Sequence, residues 1–178
     1  MRMYFALWPD ERTRTQFAQA AAALPAECRA QSVPGQNYHL TLAFVGDVAE
    51  SQRGALQQIG ASLRLPGSTI TFDAYEYWRK AQVIVAAARE NPAALLELWS
   101  RLQQALQSSL AAPRFKSAPL HAHVTLARKV AQAPVLQAMS PIRWSARAFS
   151  LVSSDTSGAH SVYTVVDTWS LLDETEKP

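Results

Sequence analysis

The sequence comprises 178 residues with a net charge of +3, from 17 lysines and arginines against 14 aspartates and glutamates. Hydrophobic residues make up 48% of the chain, which excludes a disordered protein because disordered chains combine low hydrophobicity with high net charge. Cys28 is the only cysteine, which excludes a disulfide scaffold. The apolar runs are too short for a membrane span, and the N-terminal segment lacks the pattern of a secretory signal. We therefore expect a protein of the reducing cytoplasm.

Hydrophobic periodicity and turn residues predict alternating strands and helices. Two helix starts carry clear signals, since Asp10 can cap one helix and Asn91-Pro92 places a cap before a proline at the first helical position. In chain order we predict a strand at 3–8, a helix at 11–24, a loop at 25–37, a strand at 38–45, a helix at 50–64, strands at 68–77 and 81–88, a helix from 92 to about 111 that buries leucines up to Leu110, a basic loop at 113–119, a strand at 121–128, a short helix at 132–139, and strands at 143–153 and 161–172 around a turn that contains Ser157 and Gly158.

The predicted order repeats: strand, helix, loop and a strand that begins with histidine occur once from Tyr4 to His39 and again from Gln82 to His123. An internal duplication of this kind predicts two similar lobes that face each other across a groove. The mixture of elements indicates an α+β fold, with mixed or antiparallel sheets and outer helices. We expect residues 1–178 to form a single domain of two pseudo-symmetric lobes.

The acidic and basic residues are unevenly distributed. No aspartate or glutamate occurs between Leu98 and Ser154. The same stretch contains seven cationic residues, namely Arg101, Arg114, Lys116, Arg128, Lys129, Arg143 and Arg147. Such a stretch favours an anionic partner, and the guanidinium group suits phosphate in particular. A solvated basic face without a ligand is the alternative.

The two histidine strands carry the same pattern, His39-Leu40-Thr41-Leu42 and His123-Val124-Thr125-Leu126. Because strand side chains alternate between faces, each histidine shares a face with the threonine two residues later. Strict alternation assigns Ala43 to the face of His39, and it assigns Phe44 to the apolar face that packs in the core. A strand holds such a pair rigidly toward a cleft. The alternative is that the two histidines are unrelated residues on half-exposed strands and form no common site.

Two imidazoles across a groove suit displacement at phosphorus, where one group activates the nucleophile and another protonates the leaving oxygen. The threonine hydroxyls can donate to phosphate oxygens, and an arginine can balance their charge. Such a site needs no metal or other cofactor, and the sequence shows no cluster of metal ligands. His121 shares the face of His123 and could ligate a metal, but we expect a structural or cleft-rim histidine, because no carboxylate lies nearby in sequence.

At these motifs the chain resembles the 2H phosphoesterase superfamily, and within it the bacterial RNA 2′,3′-cyclic phosphodiesterases, or 2′-5′ RNA ligase-like proteins. The segments 37–46 and 123–128 resemble its two motifs, and Phe5-Ala6-Leu7 resembles its opening strand. Its closing hairpin is matched by Leu151, Ser154, Gly158, Tyr163 and Trp169. Two departures are Tyr38, where the family has leucine, and Ala122, where it has proline. If strict alternation holds, Tyr38 points away from His39.

The resemblance implies hydrolysis of a 2′,3′-cyclic phosphate at an RNA or nucleotide end to a 2′-phosphate, with 2′-5′ ligation as a side activity. His39 and His123 are implied as the acid/base pair, with His39 as the acid and His123 as the base. Thr41 and Thr125 are implied as phosphate donors. Arg128 is implied as a phosphate contact, although strict alternation places it on the face away from His123.

Other functions remain open at this point. A non-catalytic RNA- or nucleotide-binding module would use the same basic groove, although binding alone needs no acid/base pair. A phosphodiesterase for another small cyclic phosphate, such as an ADP-ribose derivative, would keep the same chemistry. We expect no membrane partner, and a monomer is the simplest oligomeric state, since two lobes of one chain already make a site.

Overall fold

The computed structural model describes residues 1–109, 115, 119–155 and 162–173. Over these residues the strands are β1 (Arg2–Leu7), β2 (Gln31–Ser32), β3 (Leu40–Asp47), β4 (Ser68–Phe72), β5 (Ala74–Trp78), β6 (Val83–Ala87), β7 (His123–Arg128), β8 (Ile142–Ala146), β9 (Ala148–Asp155) and β10 (Val162–Ser170). The helices are α1 (Glu11–Ala22), α2 (Glu50–Ser62) and α3 (Ala93–Gln107). None of these helices is long and apolar enough to cross a membrane.

Eight strands form two four-stranded antiparallel sheets. The first sheet has the order β10-β9-β1-β3, and the second has the order β2-β7-β6-β5. The strands β4 and β8 form a separate antiparallel pair. The protein is therefore α+β with two sheet-based lobes, which confirms the predicted fold class. The two histidine strands, β3 and β7, belong to different sheets.

The helices connect the two sheets. Helix α1 follows β1 of the first sheet but packs against β7 of the second, whereas α3 follows β6 of the second sheet and packs against β3 of the first. One apolar core cluster accordingly includes Phe5 and Leu40 from the first sheet together with Val124 and Leu126 from the second. This exchange fixes the position of β3 relative to β7, because each strand is covered by a helix from the opposite half of the chain.

The predicted cap at Asp10 forms, but the predicted cap at Asn91 is wrong. Pro92 is itself the N-cap of α3, no side chain caps this helix, and the Asn91 amide donates to the Leu120 carbonyl oxygen at 3.3 Å. The Asp10 carboxylate accepts a hydrogen bond from the Thr13 amide at 2.7 Å, which caps α1. Pro92 precedes α3, which buries four leucines at helical spacing, Leu95, Leu98, Leu102 and Leu106. Helix α3 ends at Gln107, so the predicted helix to about 111 is wrong over Ser108 and Ser109. Leu110, the basic loop residues Arg114 and Lys116, and the turn with Ser157 and Gly158 lie outside the described residues.

The predicted helix at 132–139 is wrong, because residues 129–141 contain no helix or strand. Pro134 lies inside this segment, removes an amide donor and disfavours helical geometry at the residue before it. The segment is instead anchored near its two ends, since Val130 and Met139 are buried, whereas Val135 is 89% exposed.

Two predicted strands are each divided between separate pairings. The segment 68–77 is interrupted at Asp73, where the chain leaves the β4–β8 pair and joins β6 as β5. The segment 143–153 is interrupted at Arg147 in the same way, with β8 paired to β4 and β9 paired to β1. The predicted loop at 25–37 also contains the short edge strand β2, which pairs with β7. Alternation along one strand carries no information about its partner, so these divisions were not predictable from it.

Strand β10 packs against α2, and two glycines of this helix give a matched test of that packing. A Cβ atom at Gly60 would overlap the Trp169 ring, whereas a Cβ atom at Gly54 would meet nothing within 4 Å. We predict that Gly60→Ala lowers the free energy of unfolding by about 1–3 kcal/mol through overpacking. Gly54→Ala should raise it by about 1 kcal/mol, because alanine has the higher helix propensity. Urea denaturation measures both, and equal effects of the two substitutions would contradict the packing of β10 on α2.

Candidate active site

Strand β3 contains a β-bulge. Ala6 of β1 lies opposite Thr41, and Phe5 lies opposite Ala43, so Leu42 has no residue of its own across the pair. The alternation of side chains shifts by one residue at this point. As a result, Leu42 and Ala43 are both buried, at 3% and 4% exposed.

Strand β7 contains a bulge at the matching place. Val85 of β6 lies opposite Thr125, and Ile84 lies opposite Ala127, so Leu126 is the additional residue. Leu126 and Ala127 are both buried. In each strand the bulge follows the threonine, three residues after the histidine, so the two motifs share backbone geometry as well as sequence.

The first bulge overturns two face assignments. Strict alternation placed Ala43 beside His39 and Phe44 in the core, and both predictions are wrong. Phe44 is 49% exposed, and the Arg2 guanidinium lies 5.2 Å from the centroid of its ring. The bulge inserts one extra residue into the two-residue alternation of the strand. Phe44, the residue after Ala43, therefore points to the same face as His39.

The second bulge settles the position of Arg128. Strict alternation placed this side chain away from His123, which is wrong for the same reason. Arg128 lines one cavity together with Thr125, and its Nη2 donates to the Tyr163 hydroxyl at 3.4 Å. The positive charge of Arg128 also lowers the pKa of His39, although burial is the larger cause of that shift. Arg128 therefore lies at the groove between the two histidines rather than behind β7.

The His39 ring is held by a backbone contact. Its Nδ1 lies 2.7 Å from the Asn37 carbonyl oxygen. A carbonyl oxygen only accepts hydrogen bonds, so the neutral ring carries its proton on Nδ1 and leaves a lone pair on Nε2. Tyr38, whose side chain is 2% exposed, packs into the core as predicted, which turns the next side chain toward the groove.

Three aromatic rings surround His39. The ring centroids of Tyr4, Trp8 and Tyr163 lie 5.2, 5.2 and 5.3 Å from the imidazole centroid. The pKa of His39 is lowered to about 4, and burial among these rings is the largest cause. The Asn37 carbonyl opposes this shift, whereas the charges of Arg128 and His123 add to it. His39 is therefore neutral at pH 7, and binding of an anion in the groove would raise its pKa.

His123 repeats this arrangement in the second lobe. Its Nδ1 lies 2.6 Å from the His121 carbonyl oxygen, and the Trp78 ring centroid lies 4.4 Å from the imidazole centroid. Burial is the main cause that lowers the pKa of His123, while the charge of Glu76 opposes it. Each histidine thus contacts the carbonyl oxygen two residues before it, and each keeps Nε2 for chemistry.

Glu76 organises the surroundings of His123. One carboxylate oxygen accepts from the Trp78 indole Nε1 at 2.8 Å, and the same oxygen lies 3.1 Å from His121 Nε2. Glu76 therefore holds the Trp78 indole ring, which contacts His123. It also holds His121, whose carbonyl oxygen contacts His123 Nδ1. Sequence analysis missed this residue, because Glu76 is 45 positions from His121 and no local pattern links them.

His121 takes the structural position at the rim of the groove that was preferred in the sequence analysis. Its contact with Glu76 supplies the carboxylate that the neighbouring sequence lacks. Within the described part of the chain, no three His, Cys, Asp or Glu side chains form a cluster that could hold a metal ion.

Two cavities adjoin at Trp78. The cationic cavity, of about 580 Å³, is lined by residues that include Asn37, Trp78, Thr125, Arg128, Lys129 and Tyr163. The aromatic cavity, of about 300 Å³, is lined by residues that include Thr41, Phe44, Trp78, Trp99, Gln103 and His123. Both volumes lie within the range of ligand sites, roughly 300–1,000 Å³. Thr125 lines the cationic cavity, Thr41 lines the aromatic cavity, and Trp78 lines both.

The acid-free stretch contributes less to the groove than its charge predicted. Of its described cations, Arg128 and Lys129 line the cationic cavity, whereas Arg147 pairs with Asp173 at 3.0 Å on the surface. Arg101 and Arg143 are exposed. Among the described residues, two of the five cations of this stretch therefore line a cavity, and the other three lie on the surface.

Comparisons with known proteins identify the family of this chain. A family model described as the 2′-5′ RNA ligase superfamily matches residues 9–158. The RNA 2′,3′-cyclic phosphodiesterase of Escherichia coli K12 is 31% identical over 175 residues, covering 96% of each chain. The protein of the same name from Thermus thermophilus is 26% identical, covering 98% of this chain and 92% of the relative.

Solved structures show the same fold. The crystal structure of E. coli LigT in its apo form superposes with a TM-score of 0.85 at 28% identity, covering 96% of each chain. LigT has also been solved in complex with 3′-AMP, with a TM-score of 0.81 and coverage of 96% of this chain and 97% of that one. These matches span both histidine motifs, and the chain belongs to the 2′-5′ RNA ligase superfamily.

Proposed function

We propose that this protein is an RNA 2′,3′-cyclic phosphodiesterase that hydrolyses 2′,3′-cyclic phosphate ends to 2′-phosphates by metal-independent catalysis with two histidines. The observation that carries the proposal is the pair of imidazoles, one from each lobe, each held through Nδ1 by a carbonyl oxygen. The names of the E. coli and T. thermophilus relatives support the substrate class.

In the proposed reaction, His123 accepts a proton from water as the water oxygen attacks phosphorus. The bond from phosphorus to O3′ breaks, and His39 donates a proton to O3′. The products are a 2′-phosphate and a 3′-hydroxyl group, and one water molecule is consumed. Thr41 and Thr125 donate hydrogen bonds to the phosphate oxygens, and Arg128 balances their charge.

Two observations support this division of roles. His123 lines the aromatic cavity, whereas His39 lies among three aromatic rings. The strongly lowered pKa of His39 makes its protonated form the stronger acid, and the anionic substrate supplies the charge that keeps this form populated in the complex.

The same groove would accept an RNA 5′-hydroxyl in place of water. Attack of that oxygen on phosphorus, with breakage of the same bond to O3′, would leave a 2′-5′ phosphodiester. We therefore propose 2′-5′ ligation as a side activity, and an RNA or nucleotide end as the natural partner of the cationic cavity.

Substitution of the two histidines tests the proposed catalysis. In excess EDTA, the wild-type protein should hydrolyse an RNA oligomer that ends in a 2′,3′-cyclic phosphate and release only the 2′-phosphate isomer. His39→Ala and His123→Ala should each lower kcat by roughly 10²–10⁴-fold, the usual contribution of general acid or base catalysis. Binding of the oligomer by each variant, measured by fluorescence anisotropy, controls for loss of folding.

Other outcomes would identify the alternatives. Binding without turnover of any cyclic phosphate would indicate a binding module. Turnover of a cyclic ADP-ribose phosphate in preference to the RNA end would change the substrate class. Activity that EDTA abolishes would contradict metal independence.

A sulfur substitution assigns the acid. A thiolate leaves without protonation far more readily than an alkoxide, because thiols have a pKa near 8.5. With a substrate that carries sulfur at the 3′ bridging position, the rate lost through His39→Ala should largely recover, whereas the rate lost through His123→Ala should not. Recovery in His123→Ala alone would reverse the two roles, and recovery in neither would contradict acid catalysis by these histidines.

The pH profile tests the role of Glu76. Both histidines have a lowered pKa, so both limbs of kcat/KM should lie below pH 6.5, with the limb that follows His39 at about pH 4. The Glu76 charge raises the pKa of His123, so Glu76→Gln should move the upper limb to lower pH while it preserves an acceptor for Trp78. The exposed Glu90→Gln is the matched control and should leave the profile unchanged. An unshifted limb in Glu76→Gln would exclude electrostatic coupling to His123.

A further inference from the structure

Three short turns of the second lobe meet beside the cationic cavity. One turn precedes β2, one joins β5 to β6, and one follows β7, and β2 and β6 both begin where β7 ends. Backbone hydrogen bonds tie the turns together, since the Val130 amide donates to the Gln82 carbonyl at 3.1 Å and the Ala131 amide donates to the Cys28 carbonyl at 3.0 Å. The three turns therefore form one connected unit.

Each of these turns contains a residue with a left-handed backbone. Among the described residues other than glycine, φ is positive at only three positions, Arg29 at 45°, Gln82 at 52° and Lys129 at 53°. This conformation is unfavourable for a residue with a Cβ atom, whereas glycine adopts it without steric cost. Strained backbone of this kind clusters at active sites and at ligand-binding loops. Two of the three positions carry a cation instead of glycine, which indicates a use for the charged side chains.

Four exposed cations lie on the three turns, and we call this set the basic rim: Arg29, Arg79, Lys80 and Lys129. Arg79 and Lys80 occupy the tip of the β5–β6 hairpin, between Trp78 and Ala81, which both line the cationic cavity. Within the part of the chain that the structure describes, no carboxylate forms an ion pair with any of the four cations. The basic rim is therefore a cluster of positive charge that is available to an anionic partner.

The basic rim is continuous with the proposed site of the reacting phosphate. Lys129 follows Arg128, which is the proposed partner of that phosphate, and both residues line the cationic cavity. The aromatic cavity offers no comparable path, because none of the described residues that line it is a lysine or an arginine. An RNA chain that ends in a cyclic phosphate carries its next phosphate on O5′ of the terminal nucleotide. The charge of the basic rim thus matches the phosphates that precede the reacting end.

We propose that the basic rim binds the sugar–phosphate backbone upstream of the cyclic end, so that the protein acts on oligonucleotide ends in preference to cyclic mononucleotides. The contacts are made by lysine and arginine side chains to phosphates, and they are independent of base sequence. The connected turns fix the backbone positions from which these side chains extend. This inference rests on the proposed function and adds the part of the RNA that the cationic side of the groove recognises.

The kinetic test compares two substrates that end in the same nucleotide, cytidine 2′,3′-cyclic monophosphate and a tetranucleotide with cytidine 2′,3′-cyclic phosphate at its end. The wild-type protein should prefer the tetranucleotide in kcat/KM by on the order of tenfold at low salt, since even one phosphate contact is worth nearly this much there. The preference should shrink as the KCl concentration rises. Equal kcat/KM for the two substrates would overturn the proposal.

Lys129→Gly separates the charge from the strained backbone. Glycine favours positive φ, so this variant should not lower Tm, yet it should lower the tetranucleotide preference. The double variant Arg79→Gln with Lys80→Gln should lower the preference in the same direction without touching a left-handed residue. Arg143→Gln is the matched control, because it removes an exposed cation from β8, and it should keep the wild-type preference. An unchanged preference in both rim variants, or an equal loss in Arg143→Gln, would overturn the proposal.

Binding measurements keep this inference separate from the proposed activity. The probe is a tetranucleotide that ends in a 2′-phosphate, followed by fluorescence anisotropy over a range of KCl concentrations. Each phosphate contact of a single strand adds about 0.7 to the slope of log Kd against log KCl, so each rim variant should lower this slope by at least about 0.7. Equal displacement of the probe by polyglutamate would indicate a surface for any polyanion and would overturn recognition of RNA.

The two failures are distinguishable. If the wild-type protein hydrolyses no cyclic end but binds the probe with a slope that falls in the rim variants, the basic rim stands and the proposed activity fails. If the protein hydrolyses both cyclic substrates but the rim variants leave the slope and the preference unchanged, the activity stands and the basic rim is a solvated face without a ligand.

Discussion

The site depends on one hydrogen bond that occurs twice, from an imidazole Nδ1 to the carbonyl oxygen two residues earlier. This bond fixes the tautomer and the ring orientation, so Nε2 of His39 and Nε2 of His123 are presented through a backbone carbonyl as the direct partner of Nδ1 rather than a carboxylate. Burial lowers the pKa of each imidazole by more than the carbonyl contact raises it, and the charges in the groove modify the result. An anionic substrate can therefore change the protonation of the pair when it binds.

The second constraint is the bulge that follows each threonine. Without it, the period of two would send Arg128 behind β7 and bury Phe44 in the core. With it, each strand presents three side chains to the groove and still buries two consecutive apolar residues. The exchanged helices α1 and α3 cover these apolar residues from opposite halves of the chain, so the core that stabilises the fold also sets the distance between the motifs.

The fold class and both histidine strands were predictable, because helix caps, hydrophobic spacing and the repeated His-x-Thr pattern are local signals. The orientation of Phe44 and Arg128 was not, since a bulge depends on which residues a neighbouring strand places opposite. The role of Glu76 was not predictable, because His121, which it contacts beside the second motif, is 45 positions away. The division of 143–153 between two pairings and the absence of a helix around Pro134 likewise depend on tertiary partners and backbone geometry that periodicity does not encode.

The most direct test of the account is the protonation of the two imidazoles in the free protein. Ring nitrogen NMR of histidine-labelled protein at pH 7, assigned with His39→Ala and His123→Ala, reports tautomer and charge for each ring. The account predicts that both rings are neutral and carry their proton on Nδ1, with the pKa of His39 at about 4 on titration. A proton on Nε2 of either neutral ring, or a charged His39 at pH 7, would contradict it.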